Sequence, residues 1–215
     1  ALGAGACVPK KLDVEYPTEM EGNCIFYAVK NKERFRGKDV LIIGGGDSAV
    51  DWANEFSQIA DKVTLIHRRD QFRAVQTSVE EMKHNAVDIK TFYELKEVIG
   101  NGVVEQCTIF DNRSGKEETI KCDAILINIG FVINLDFLKA WNLKMEGNAI
   151  SVNEKMETNL PGVFAAGDIC THPAKLKLIA TGASEAATGV NFAAVFINPT
   201  AKAFPGHSSN LNLSI

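Results

Sequence analysis

Long apolar runs are missing from this 215-residue chain. None approaches the roughly 20 consecutive apolar residues that a bilayer-crossing helix needs, so no membrane span is expected. The first residues also lack the charged-then-apolar pattern of a secretory signal. Cysteines are few and poorly placed for chemistry. The five, Cys7, Cys24, Cys107, Cys122 and Cys170, are scattered, odd in number and form no Cys-x-x-Cys pair, which argues against both a disulfide framework and a zinc site. They read as buried or idle thiols in a reduced compartment, and a cytoplasmic location is expected. An excess of positive charge is lacking too. With 23 basic against 27 acidic residues and a net charge of -4, no general attraction to nucleic acid or anionic lipid is expected, and any cationic site must be local.

What remains is the composition of an ordinary globular protein, 46% hydrophobic and 23% charged, without internal repeats or low-complexity segments. Asp39 to Ile43 is a short β-branched apolar run that ends in three glycines. An amphipathic stretch follows at once, with Ala49, Trp52, Ala53, Phe56, Ile59 and Ala60 at helical spacing. A second apolar strand, Val63 to Ile66, comes next, so the segment is a βαβ unit whose strands pair in parallel through a right-handed crossover. Val75, Val79, Met82 and Ala86 mark another helix, and Val87 to Phe92 reads as a strand. Gly102 to Phe110 and Lys116 to Cys122 read as a hairpin joined by the turn-rich Asp111-Asn112-Arg113-Ser114-Gly115. Ala124 to Ile129 is an apolar strand ending in Gly130. Beyond it the pattern predicts a short helix over Leu135 to Leu143, a polar loop at Gly147, a strand near Ile150 to Val152, and a turn and apolar strand ending in Gly167-Asp168. A long helix then carries Ala186, Val190, Ala193 and Ile197 on one face, and the tail from Pro199 is irregular.

The glycine loop sits where a strand turns into a helix, the context that makes such a loop informative. Gly44 permits the tight turn with Gly45, Gly46 leaves room for a pyrophosphate, and Ala49 keeps helix and strand close. The helix that starts near Asp47 and Ser48 offers unpaired N–H groups and a positive dipole end to phosphates. The second strand of such a unit ends beside the adenine ribose, where a carboxylate would bind the 2′-hydroxyl of NAD. Here it ends in His67-Arg68-Arg69, with Arg73 one helical turn further on. Guanidinium groups bind a 2′-phosphate bidentately and a carboxylate repels it, so the expected ligand is NADP(H). His67 is a candidate contact to adenine or ribose, or simply the end of the strand.

Four segments in order, Gly44 to Ala53, His67-Arg68-Arg69, Lys155 to Asn159 and Ala166-Gly167-Asp168-Ile169-Cys170, together with Lys175 to Gly182, carry a resemblance. The chain resembles the thioredoxin-reductase-like flavoproteins, specifically their ferredoxin (flavodoxin)–NADP reductase branch. The resemblance implies that Asp168, after Gly167, binds the ribityl chain of FAD, and that the helix beginning near Ile179 points its amino end at the flavin. It implies that His207, with Ser208 beside it, covers the flavin ring of a partner subunit in a homodimer. Gly130 is counted with the cofactor-binding residues. The departures are also plain. Relatives carry a further segment before this one with the first glycine fingerprint for FAD, and Gly3 and Gly5 do not replace it. Ala183-Ser184 and Ala187 stand where relatives tend to carry Phe-Gly and Pro.

The expected fold is α/β: a Rossmann-like NADP-binding domain followed by the C-terminal part of a second, FAD-binding domain of the two-dinucleotide-binding-domain type. The expected divisions are 1–9 as a remnant of the FAD domain, 10–129 as the NADP-binding domain, 130–198 as the C-terminal part of the FAD domain, and 199–215 as the tail. The expected function is electron transfer from NADPH through FAD to ferredoxin or flavodoxin, with no catalytic side chain and no metal. A truncated module that binds NADP(H) without reductase activity is the alternative from another class. A thioredoxin reductase is a third, and it would need a redox-active cysteine pair before the glycine loop, where Cys24 stands alone.

Overall fold

The computed structural model describes residues 7–133, 138, 140–204 and 206. It divides into two compact units, Val8–Val132 and, outside that span, Ala1–Cys7 with Ile133–Ile215. Strands β1 (Cys7–Pro9) and β10 (Phe131–Ile133), where the chain passes between the units, pair with each other.

The first unit is built on a five-stranded parallel sheet, β2 (Ile25–Phe26), β9 (Ala124–Asn128), β3 (Asp39–Gly44), β4 (Lys62–His67) and β5 (Val87–Thr91), in that spatial order. A parallel strand is covered on both faces, which is why β3, β4 and β9 are nearly unbroken apolar runs. Successive side chains alternate between the faces. Val40 and Ile42 pack with Ala49, Val50, Ala53 and Phe56 of α1 (Asp47–Phe56) and with Val79 and Met82 of α2 (Gln76–His84). Leu41 and Ile43 pack on the other face with Leu95, Cys107, Ile109 and Ile120. Those residues belong to an antiparallel meander of β6 (Tyr93–Ile99), β7 (Gln106–Asp111) and β8 (Glu117–Lys121). Phe35 anchors the helical side, stacked on Phe56 at 4.4 Å and edge-on to Phe26 at 5.0 Å.

Strand β6 is absent from the pattern reading, which carries one strand through Val87 to Phe92 and assigns nothing to residues 93–99. The two strands are separated by Phe92 alone, at φ 64°, with its carbonyl accepting from the Asn112 N–H at 2.8 Å. No glycine or proline marks the break, so composition hides it. The hairpin turn is where it was expected, with the Asp111 carboxylate accepting from the Arg113 and Ser114 N–H groups; its two strands are shorter than expected.

In the second unit, β11 (Met145–Glu146) and β12 (Ala149–Ser151) form a small hairpin at Gly147, and β13 (Cys170–Thr171) lies parallel to β12. The expected apolar strand before Gly167 is not formed. Residues 163–165 fold back on Met156 to Thr158 through single bonds and one bridge, Glu157 to Phe164, with no ladder to extend. Helix α3 (Ile179–Ile197) is present, but it buries a different face from the one expected. Val190 is 69% and Ile197 83% exposed, whereas Glu185 and Gly189 are buried. An alanine-rich helix is apolar nearly all round, so spacing alone does not select its inner face. Of the predicted helix over Leu135 to Leu143, residues 135–137 and 139 lie outside the described residues, as do His207 and Ser208, and residues 140–142 form a turn.

Candidate functional site

A cleft of about 700 Å³ opens at the carboxyl ends of β3, β4 and β9. Gly44, Gly45, Gly46, Asp47, Ser48, His67, Arg68, Arg69, Arg73 and Gly130 all line it. Gly44, at φ 155°, stands against β9: a Cβ there would overlap the Asn128 carbonyl oxygen and touch the Ala49 methyl at 3.0 Å. Strand, helix and neighbouring strand meet at that point, so only glycine fits. A Cβ on Gly45 would fall inside the His67 ring. At Gly46 it would meet nothing within 4 Å. The first two glycines are therefore filled in by protein, and the third faces open space.

Gly46 is the N-cap of α1 and supplies no side-chain cap, so the helix's first N–H groups face the cleft. Backbone donors and the positive end of the helix dipole make such a terminus a site for anions. Asp47 does not spoil it, because its carboxylate accepts from the Val75 N–H at 2.8 Å, which ties the segment after β4 to the loop. A second tie joins the Arg73 N–H to the Gly45 carbonyl at 2.7 Å.

Between the end of β4 and these ties, the segment 68–73 presents three arginines to the cleft. Arg68, Arg69 and Arg73 are exposed, and none of their guanidinium groups has a partner among the described residues. His67 plays a different part. Its ring stacks on Phe72 at 5.2 Å and its Nε2 pairs with the Gln71 carbonyl at 3.1 Å. Burial, aided by the charges of Arg68, Arg69 and Arg73, outweighs the opposing bond to Gln71 and holds its pKa below the usual histidine value. A neutral ring that props the arginine segment is what this geometry provides. Asn112, unnoticed in the sequence, donates to the Arg68 carbonyl at 3.0 Å and to Glu94 at 2.9 Å, fixing the far side of the same segment. A shallower hollow near Lys11 and Glu21 has one lysine in its lining, Lys11, which is already paired with Glu21 at 2.6 Å.

In the second unit, Gly167, Asp168 and Ile179 fall into one local arrangement. A Cβ on Gly182 would stand 3.3 Å from the Gly167 Cα, so the first turn of α3 crosses directly over the Gly167-Asp168 turn. Asp168 is exposed with no protein partner among the described residues. Leu178 caps α3 without a side-chain bond, and Ile179 is 96% exposed, leaving the helix's first N–H groups free. A free carboxylate can accept hydrogen bonds from hydroxyl groups, and an open helix terminus favours negative charge. Beneath them lies a cluster that pattern reading missed. Glu185 is buried and accepts from Lys175 at 2.6 Å, the Gly167 N–H at 2.8 Å and His172 at 2.9 Å. Burial alone would push the Glu185 pKa up, but these donors outweigh it and hold it at about 2. His172 is raised in turn by its bond to Glu185, and burial lifts the neighbouring Cys170 thiol to about 11.

Comparison with known proteins agrees with this geometry. The pyridine nucleotide-disulphide oxidoreductase family model matches residues 2–187. A ferredoxin–NADP reductase of Halalkalibacterium halodurans is 50% identical over 210 residues, 97% of this chain and 64% of that protein. One of Symbiobacterium thermophilum is 51% identical over 209 residues, covering 96% of this chain and 62% of the relative. The chain thus spans a little under two thirds of the length of these relatives. Among solved structures, Lactococcus lactis thioredoxin reductase superposes with a TM-score of 0.77 at 26% identity, over 89% of this chain and 63% of that one.

Proposed function

The chain belongs to the pyridine nucleotide-disulphide oxidoreductase family, and from that premise we propose that it binds NADP(H) in the cleft of the Val8–Val132 unit and serves a ferredoxin–NADP reductase. Gly46 and the first turn of α1 hold the pyrophosphate, and Arg68, Arg69 and Arg73 hold the 2′-phosphate. His67 positions those arginines through Phe72 and Gln71. The observation that carries the reading is the set of three unpaired guanidinium groups held by backbone ties around one cleft. Cations without carboxylate partners, on a segment this well fixed, complement an anionic ligand.

The second unit contributes part of an FAD site, with Asp168 on the ribityl chain and the α3 terminus toward the ring; the free carboxylate and uncapped terminus support it. When bound, FAD links a two-electron hydride donor to single-electron carriers, so the protein needs to bind and orient and supplies no nucleophile of its own. The names of the curated relatives support ferredoxin as acceptor, with flavodoxin as an alternative. A homodimer in the cytoplasm completes the reading, carried by the resemblance; no described helix is long and apolar enough to cross a membrane.

The thioredoxin reductase reading has less support. Cys24, Cys107 and Cys122 are buried in one core cluster, and the Cys107 thiol is pushed far up by its bond to Cys122 and by burial. Such thiols do not exchange with a partner's disulfide.

Calorimetric titration with NADP⁺ and NAD⁺ tests the reading. Changing Arg68→Gln and Arg69→Gln together should weaken NADP⁺ binding by roughly 3 to 6 kcal/mol, from charged hydrogen bonds of about 1.5 to 3 each, and leave NAD⁺ nearly unchanged. Equal loss for both nucleotides contradicts it.

A further inference from the structure

We propose that Asn128 binds the nicotinamide-side ribose of the nucleotide, a role that rests on the NADP(H) reading above. Strand order sets the direction of the ligand. Strand β3 has β4 on one side and β9 on the other, and the chain runs outward from β3 in both directions, so the crevice between β3 and β9 is where a dinucleotide crosses the sheet edge. The arginines stand beyond β4 and claim the adenosine half. The pyrophosphate is pinned at Gly46. The remaining half must then pass over the end of β9.

Asn128 is the last residue of β9, paired in register with Gly44, and it lines the cleft. Its Oδ1 is the one buried side-chain nitrogen or oxygen atom without a hydrogen-bond partner among the described residues. Buried polar groups are almost always satisfied in folded proteins, so an orphan beside a cleft points to a ligand. The backbone there cannot retreat, because its carbonyl closes on Gly44.

The chemistry of the group narrows the ligand. A primary amide both donates and accepts. Phosphate oxygens are acceptors and would leave Oδ1 unsatisfied, whereas a ribose hydroxyl donates to Oδ1 and accepts from Nδ2. Asn128 therefore complements a hydroxyl, and the only hydroxyls on this side of the pyrophosphate belong to the nicotinamide ribose.

The test uses the 215-residue chain, the variants Asn128→Leu and Asn128→Ala, and calorimetry with three probes: NADP⁺, 2′-phospho-ADP-ribose and 2′,5′-ADP. Each variant is expected to bind NADP⁺ and 2′-phospho-ADP-ribose about tenfold more weakly, the loss of one good hydrogen bond, and 2′,5′-ADP as the wild type does. Asn128→Leu, which replaces an unsatisfied amide by an apolar group of similar size, should melt no lower than the wild type without nucleotide; a structural role for the amide would lower it. Loss confined to NADP⁺ would assign Asn128 to the carboxamide and overturn the ribose assignment. Unchanged binding of all three probes, or equal loss of 2′,5′-ADP, overturns the proposal while leaving the cleft as the nucleotide site. Failure of the wild type to bind any probe would overturn the NADP(H) reading itself.

Discussion

Two groups of charges in this molecule are treated in opposite ways. Around the cleft of the first unit, Arg68, Arg69 and Arg73 are exposed and unpaired among the described residues. In the second unit, Glu185 is buried beneath the Gly167-Asp168 turn with every donor in place, Lys175 and Glu185 each only 6% exposed at the side chain. A charge satisfied by its own protein holds the fold together, and a charge left open on a rigid frame is available to a ligand. The two groups differ in pairing: the arginines have no carboxylate partner among the described residues, whereas Glu185, Lys175 and His172 satisfy one another.

The sharpest way to break the contrast is to unpair the satisfied group. Lys175→Met leaves the Glu185 carboxylate buried without its main partner, and removing one member of a buried pair typically costs about 3 to 5 kcal/mol; a urea melt should show a drop of that size. Removing the open charges should do nothing of the sort, and Arg69→Gln is expected to leave the melt unmoved within about 0.5 kcal/mol.

The glycine loop offers the same comparison in miniature. Gly44→Ala forces a methyl into the Asn128 carbonyl at a positive φ and should destabilise the chain by roughly 1 to 3 kcal/mol. Gly46→Ala meets no protein atom within 4 Å, so its melting temperature should hold while NADP⁺ binding falls about tenfold or more, the methyl occupying the phosphate's space. If both variants melt early and bind alike, the loop is a structural turn.

The smallest effect lies in pH. His172 has a raised pKa in the folded chain, so its bond to Glu185 contributes stability that is complete below 6.5 and fades as pH rises through the folded value. Glu185, lowered from 4.5 to about 2, contributes stability present above 4.5 and lost as pH falls toward 2. The melting temperature should therefore be highest between about 4.5 and 6.5 with respect to this cluster, and His172→Gln should flatten only the alkaline side.

Much of the first unit was legible from pattern. An apolar run, three glycines, a helical stripe and a second apolar run are local signals, and the arginines follow directly in sequence. What escaped depends on partners distant along the chain. Asn128 ends an apolar strand and reads as one more strand residue until register sets it beside Gly44. Asn112 belongs to a turn, and only the meander brings it to the Arg68 carbonyl. Glu185 sits in an alanine-rich helix, where a lone carboxylate reads as solvent-facing; its burial depends on Lys175 and His172 arriving from the preceding loop. His67 was legible as the end of the strand beside the cleft, whereas the ring's contacts with Gly45 and Phe72 arise from the fold of the segment after β4.

The central claim is that the open guanidinium groups read a 2′-phosphate, and the most direct measurement compares 2′,5′-ADP with 5′-AMP on the unmodified chain. The account predicts that 2′,5′-ADP binds at least about tenfold more tightly, with the advantage shrinking as salt is raised. Equal affinity for the two, independent of salt, would contradict it.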